Sequence, residues 1–415
     1  MVERSPVFYG WIVVLAGTLG LMATVPGQTT GVSIFIDHLI ADLGLTRSGV
    51  STLYLLGTLG GSVFLPLVGR FVDRRGPRLT VALVAAAFAL ACVWMGAVQN
   101  VLMLLIGFTL VRALGQGALS LVSLHVIAIW FVRRRGVAIA CAGIGMALAT
   151  ATFPTLIEGL IEATGWRSAY MLLGLAVALT ILPLGGLVYR DRPERYGLVP
   201  DGRARAGDDA VRGPDGRAER HYTAAEARRT RTFWVFLAGL AFASTLGTGL
   251  VFHHYSILAE GGLQRIDAAR AFMFYGATSA LANLVSGALI ARIAPRFLLS
   301  AMLLVLAASL VFAGFVSGAQ AVAPYGILLG LRTGMYTSLQ GNVFAYYFGR
   351  RHLGSIKGWV STALVVGSAL GPLVFGLGYD LLGSYTLTVV VCALPPAVLG
   401  LVAPFLRLVR GGVVR

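Results

Sequence analysis

Residues 69–97 read GRFVDRRGPRLTVALVAAAFALACVWMGA, and the fold turns on how this stretch divides. Its first ten residues hold four arginines and one aspartate, while the nineteen at 79–97 hold no charged side chain. A helix of that length rises about 28 Å, close to the thickness of a bilayer's hydrocarbon core. The stretch therefore reads as a charged turn leading into a membrane span.

The pattern recurs along the whole chain. Of 415 residues, 57% are hydrophobic and 12% charged, and the mean hydropathy is +0.82. Soluble domains carry about 25% charged residues, so an ordinary globular protein is excluded. Twelve apolar runs stand out: 8–36, 47–71, 79–97, 100–130, 137–161, 167–189, 231–258, 268–292, 297–317, 320–348, 355–379 and 384–407. The 53 glycines suit closely packed membrane helices. The expected fold is an all-α membrane protein of twelve transmembrane helices.

A net charge of +16 in a soluble protein would suggest nucleic acid. Here the cations gather in alternate loops: Arg74, Arg75 and Arg78; Arg133, Arg134 and Arg135; the long 190–232 segment; Arg292 and Arg296; Arg350, Arg351 and Lys357; Arg407 and Arg410. The other loops are poor in cations and hold Asp37, Asp42, Glu158, Glu162, Glu260 and Asp380. By the positive-inside rule both termini and the long loop face the cytoplasm. The partner is the lipid bilayer, not nucleic acid, and a monomer is expected. Cys92, Cys141 and Cys392 are scattered within apolar runs and suggest neither a metal site nor a disulfide framework.

The polar interval 191–230 divides the chain into an N-terminal six-helix bundle, 1–190, a cytoplasmic linker loop, and a C-terminal six-helix bundle, 231–415. The halves echo each other. WFVRRRG at 130–136 corresponds to YFGRRHLG at 347–354, and FIDHLIADLGL at 35–45 to YSILAEGGL at 255–263. Arg112 lies twelve residues beyond Asn100, as Arg332 does beyond Gln320. Internal repeats of this kind are common in secondary transporters, whose substrate sites lie near mid-membrane between the repeats.

GRFVDRRGPR at 69–78 resembles the signature loop of the major facilitator superfamily. Gly69 would permit close helix approach, Gly76-Pro77 a turn, and Asp73 a pairing with nearby arginines or a helix N-terminus. The resemblance makes Gly69, Asp73, Arg74, Gly76 and Arg78 a gating latch, not a place of chemistry. RPERYGLVPDG at 192–202, FWVFLAGLAF at 233–242 and YFGRRHLGSIKG at 347–358 resemble the bacterial monocarboxylate-transporter and oxalate/formate-antiporter branch. Two departures count against oxalate itself. The span-eight run has Arg270 only at its outer edge, and that branch's span-eleven lysine falls near Leu364, with Lys357 at the cytoplasmic end.

The resemblance implies that spans one, four, seven and ten line a central cavity. Their polar residues form candidate stripes: Arg112, Gln116 and Ser120 in span four, and Arg332, Tyr336 and Gln340 in span ten, each four apart and so on one helical face. Span one offers Gln28, Thr29, Thr30 and Ser33 after Pro26-Gly27, which can open the helix and free carbonyls. Span seven adds Thr245, Thr248, His253 and His254, and span eight Tyr275 and Asn283. The candidate substrate residues are Arg332, Arg112, Gln116, Tyr336, Gln28, Gln340, His253 and Asn283. Each has a structural alternative: Tyr336 and Gln340 could bond neighbouring helices, His253 and His254 could be solvated, and Arg112 could brace helix carbonyls. An ionisable residue inside a membrane is otherwise a functional hypothesis by default, and Arg332 is the sharpest case.

No Asp or Glu lies in the middle third of any run, so proton coupling would need a histidine or an anion that brings its own proton. No HExxH, phosphate loop or activated nucleophile is present, so an enzyme is not expected and no cofactor or metal is implied. Gly143, Gly145 and Pro154, with GSALGPLVFG at 367–376, read as packing and hinge positions and partly resemble the glycine-proline motif of drug/proton antiporters. The reading is a secondary active transporter (symporter, antiporter or facilitator) of the bacterial cytoplasmic membrane. It would move a mono- or dicarboxylate by alternating access, with or without protons. The alternatives are a multidrug/proton antiporter and a transporter-like receptor without flux.

Overall fold

A computed structural model describes residues 8–131, 134–191, 193–199, 222–290, 292–349 and 352–406. Arg133, Arg350, Arg351, Arg407, Arg410 and most of the linker interval lie outside the described residues. The chain divides into two compact units, Met1–Ala206 and Gly207–Arg415.

Eleven helices among the described residues are long and apolar enough to cross a membrane: Tyr9–Leu43, Arg47–Arg75, Pro77–Gly96, Val101–Trp130, Gly136–Thr164 and Trp166–Leu187 in the first unit, then Arg231–Phe252, Arg265–Ile290, Pro295–Gly314, Ser355–Leu382 and Tyr385–Phe405 in the second. The remaining expected span is present as the 27-residue helix Val322–Phe348. It is long enough to cross, but Arg332, Thr333, Tyr336, Thr337, Ser338, Gln340 and Asn342 dilute its apolar character. This is an all-α membrane fold.

The two units repeat one packing plan. In the first, span one packs on five, two on four, and three on six; in the second, seven packs on eleven, eight on ten, and nine on twelve. Small residues set the closest crossings. A Cβ at Gly330 would come 2.6 Å from the carbonyl of Tyr275, and one at Gly174 2.7 Å from that of Ala89, so backbone meets backbone.

Several expected boundaries move. Span one continues to Leu43, which places Asp37 and Asp42 on a helix rather than in a loop. Glu158 and Glu162 likewise lie within Arg135–Thr164, and Glu158 is only 1% exposed. The signature stretch is mostly helical too: Leu65–Arg75 and Pro77–Gly96 are separated by Gly76 alone.

Both units break their first span. Span one runs Tyr9–Met22, a 3-10 turn Val25–Gly27, then Thr29–Leu43, because Pro26 lacks an N–H and its ring opens the helix. Span seven breaks at His253, between Arg231–Phe252 and His254–Glu260. Span four contains a π-helical stretch, Arg112–Leu119. There carbonyl i meets the N–H of i+5, so residues four apart no longer stand above one another. The expected stripe Arg112, Gln116, Ser120 is therefore skewed.

Candidate functional site

In the first unit, the break in span one and the π stretch of span four fit together. A Cβ at Gly115 would lie 3.1 Å from the Cα of Gly27, so neither position has room for a side chain. Arg112, 5% exposed, sits at this crossing. Its Nε donates to Thr58 Oγ1 (3.1 Å) and its Nη1 to the Gly27 carbonyl (3.2 Å), with Thr29 Oγ1 at 3.4 Å. The guanidinium also lies over the Tyr54 ring, 4.7 Å from its centre. Tyr170 donates to the Pro26 carbonyl at 3.4 Å, so protein donors take the carbonyls freed by the break. Half-buried Gln28 donates to Thr24 Oγ1 at 3.0 Å. Gln116 is half-buried, and its enclosed Oε1 has no hydrogen-bond partner among the described residues.

The second unit holds a related arrangement with a different outcome. Arg332 is also 5% exposed. Its Nη1 donates to the Ala243 carbonyl of span seven (3.2 Å) and its Nη2 to Thr333 Oγ1 (2.8 Å). The guanidinium rests against Gly247, where a Cβ would come 2.6 Å from Cζ. Its Nε is enclosed and has no hydrogen-bond partner among the described residues. No carboxylate pairs with Arg332 or Arg112 among those residues. Nε and Nη2 form one edge of the planar group, and an edge of this kind can hold a carboxylate through two parallel N–H bonds.

Half-buried Tyr336 interacts with Ser244 of span seven, and Ser244 donates to the Leu364 carbonyl at 2.8 Å. The Tyr275 hydroxyl lies 3.4 Å from Thr333 Oγ1. Asn283 is half-buried, and its backbone packs on Gly334, where a Cβ would lie 2.6 Å from the Asn283 backbone nitrogen. Gln340 is half-buried two turns beyond Arg332. Gly247, the Ala243 carbonyl and Thr333 were not legible as site components. Glycine and backbone groups carry no chemical signal in sequence, and Thr333 read as one more small polar residue.

His253 and His254 are fully buried, which corrects the expectation that they could be solvated. His253 Nε2 lies 2.9 Å from the Pro372 carbonyl, and its Nδ1 lies 2.9 Å from the Tyr385 hydroxyl. Protein thus occupies both nitrogens, and His253 ties the break of span seven to spans eleven and twelve. Glu260, at the end of the short helix, accepts from Tyr385 N (2.8 Å) and Ser384 Oγ (2.6 Å), capping span twelve.

At the latch, Gly76 has φ +85°, a left-handed conformation that favours glycine. A Cβ there would lie 2.8 Å from Cγ of Asp191. Asp191 Oδ1 is 3.5 Å from the backbone N of Arg78, Arg195 pairs with its Oδ2 at 2.7 Å, and Arg78 Nη2 donates to the Gly186 carbonyl at 2.7 Å. The helix N-terminus after Gly76 is thus served by Asp191. Asp73 is exposed and lies 3.8 Å from His125 Nε2 of span four. Arg74 is exposed. A Cβ at Gly69 would meet nothing within 4 Å among the described residues, so the expected close approach is not seen there.

Two repeated six-helix units, broken first spans and arginines buried within helices make a polytopic membrane architecture. The chain belongs to the Major Facilitator Superfamily, whose family model matches residues 16–264. Members of this family are transporters rather than enzymes. Human monocarboxylate transporter 6 is 29% identical over 199 residues, covering 48% of this chain and 38% of that protein. The oxalate:formate antiporter of Oxalobacter formigenes is 26% identical over 172 residues, covering 41% of each. A multidrug resistance protein B homolog of Mycobacterium tuberculosis is 34% identical over 168 residues, covering 40% of this chain and 31% of that protein. The chain thus spans less than half the length of each of these curated relatives. A bacterial homolog of the human lysosomal transporter Spinster, solved in an inward-facing and occupied conformation, shares the fold with a TM-score of 0.69 at 18% identity, covering 96% of both chains.

Proposed function

We propose that this chain is a secondary transporter that moves a small organic anion, a mono- or dicarboxylate, across the bacterial cytoplasmic membrane by alternating access. Both termini would face the cytoplasm, and the working form would be a monomer. The observation that carries the reading is Arg332: a buried guanidinium with no acidic partner among the described residues and with its Nε unbonded. An uncompensated charge inside a membrane is costly, about 2.5–3.5 kcal/mol on insertion scales, unless water or an anion meets it. A carboxylate would supply both the missing charge and the missing acceptor.

In this reading Arg332 grips the anion, and Tyr336, Gln340 and Asn283 shape its surroundings. Arg112 holds the broken first span in place. The monocarboxylate and oxalate relatives support the substrate class. The drug-resistance relative favours a second reading, export of amphiphilic compounds, which would not depend on the charge at position 332. Uptake of labelled lactate and oxalate into proteoliposomes, by wild type and Arg332→Gln, separates the two. Carboxylate uptake lost in the variant supports the anion reading, and no carboxylate uptake by wild type refutes it.

A further inference from the structure

We propose that the groove between the ends of spans three and six, in the first unit, binds the phosphate of an anionic membrane phospholipid. The groove has a volume of about 250 Å³ and is lined by Arg75, Arg78, Leu79, Ala82, Gly186 and Asp191. Arg75 is the last residue of span two, Arg78 stands in the first turn of span three, and Gly186 lies in the last turn of span six. The three positions share one end of their spans, the level at which a bilayer presents its headgroups. The inference stands apart from the carboxylate reading of Arg332, whichever compound the carrier moves.

Two adjacent glycines shape the groove. At Gly185 span six packs on span three, and a Cβ there would come 2.9 Å from Cγ1 of Val81. At Gly186 a Cβ would meet nothing within 4 Å among the described residues, so the space beside it is open. Arg78 Nη2 donates to the Gly186 carbonyl at 2.7 Å, which fixes the guanidinium beside the groove without neutralising it. Arg75 and Arg78 are exposed, and neither pairs with a carboxylate among the described residues. Asp191, the acidic group of the lining, already holds Arg195 at 2.7 Å. Arg195 thus offsets Asp191, and the charges of Arg75 and Arg78 are left unbalanced.

The apolar lining selects the source of the anion. Leu79 is 44% exposed, and Leu83, one turn further along the same face of span three, is 51% exposed. Apolar surface therefore continues from the two guanidinium groups along the span, where acyl chains cover it in a bilayer. A free phosphate gains nothing from that surface. A phospholipid sets its phosphate beside Arg75 and Arg78 and lays a chain along Leu79 and Leu83. Basic pockets between transmembrane helices take lipid headgroups in this way, and the anionic lipids are those of the cytoplasmic leaflet, which this end faces on the charge-based orientation. A phosphate shared by the two arginines also bridges the Gly76 joint, from the end of span two to the start of span three.

The test is native mass spectrometry of the purified full-length protein titrated with phosphatidylglycerol or with phosphatidylcholine of the same acyl chains. Wild type should hold phosphatidylglycerol at least about tenfold tighter, since each arginine beside anionic headgroups is worth about fivefold. Arg75→Gln should lose about fivefold of that preference. Gly186→Leu, which fills the groove and keeps both charges, should also weaken phosphatidylglycerol binding. Arg292→Gln removes an exposed arginine of the second unit and should change nothing. Undiminished binding in Gly186→Leu, or an equal loss in Arg292→Gln, would reduce the effect to diffuse charge attraction and overturn the site. Inorganic phosphate that displaces phosphatidylglycerol at equal concentration would make this a free-anion site and overturn the lipid assignment. Should Gly186→Leu fail to fold, the exposed Arg75 still decides, because an unaltered preference in Arg75→Gln overturns the proposal. Equal retention of the two lipids by wild type does the same.

Discussion

The guanidinium of Arg332 lies directly against Gly247 of span seven, where a single added carbon would come 2.6 Å from Cζ and 3.0 Å from Nη2. The contact makes the orientation of the charge depend on the absence of a side chain one helix away. Gly247→Ala should therefore displace the guanidinium from the Ala243 carbonyl and weaken carboxylate binding by at least about tenfold, the loss of one hydrogen bond to a charged group. Equilibrium binding of labelled lactate to folded, purified protein measures it. Wild-type affinity in the variant would show that the anion does not use this orientation.

Arg332→Gln should abolish anion binding, while Arg332→Lys should weaken it and leave some transport. Lysine keeps the charge but loses the planar edge that offers two parallel bonds. Side-by-side affinities of the two variants settle the point, and equal losses in both would mean that geometry, not charge, is what counts.

Arg112 should matter less for affinity and more for rate. Its contacts, to Thr58, Thr29 and the Gly27 carbonyl, are structural. Arg112→Gln should leave the lactate Kd within about threefold of wild type, less than one charged hydrogen bond is worth. Uptake should slow much more, because the joint of span one would lose its brace. A large fall in affinity with unchanged turnover would reverse the assigned roles.

At the latch, Asp73→Asn should slow transport with binding roughly intact, since the exposed Asp73 biases the conformational equilibrium without touching the arginines. Gly76→Ala should act differently. Its φ of +85° costs an alanine about 1–2 kcal/mol, and the new methyl group would press on Asp191. A lower thermal unfolding midpoint is expected for Gly76→Ala alone, and an equal drop in Asp73→Asn would refute the distinction.

Topology is tested with single cysteines on a background lacking Cys92, Cys141 and Cys392. Exposed Glu194 and Gln264 flank different ends of the spans. Glu194→Cys should react with a membrane-impermeant maleimide only from the cytoplasm, and Gln264→Cys only from outside. Reaction of both from one side contradicts the charge-based orientation.

The architecture is legible because a bilayer imposes a length on apolar runs, and those runs, with the 69–78 turn, point to this family. Arg112 and Arg332 were legible for a related reason, since a charge within such a run is conspicuous. The register of their neighbours was not. The span-four stripe assumed α-helical spacing, and nothing in RALGQGAL announces a π stretch except the two glycines that tolerate it. The histidines were misjudged because their partners, the carbonyls of Pro372 and Ala268, lie 119 and 14 residues away and are backbone groups. Asp191 was missed as the cap beside Gly76 because it lies beyond span six, more than a hundred residues along the chain.

The π stretch also fixes how span four can change in length. A wide turn accommodates one residue more than an α-helix would over the same rise, so the helix beyond Leu119 is already turned by about 100° relative to an uninterrupted helix. Ser120–Trp130 depends on that offset. It places Ser123 3.3 Å from the Tyr189 hydroxyl and sets Ile127 where a Cβ at Gly17 would come within 2.9 Å of it. Deleting one residue between Arg112 and Leu119 would restore an ordinary helix and swing both contacts to another face. Span four is thus a segment in which substitutions are local events, while a change of one in the residue count re-aims half a helix.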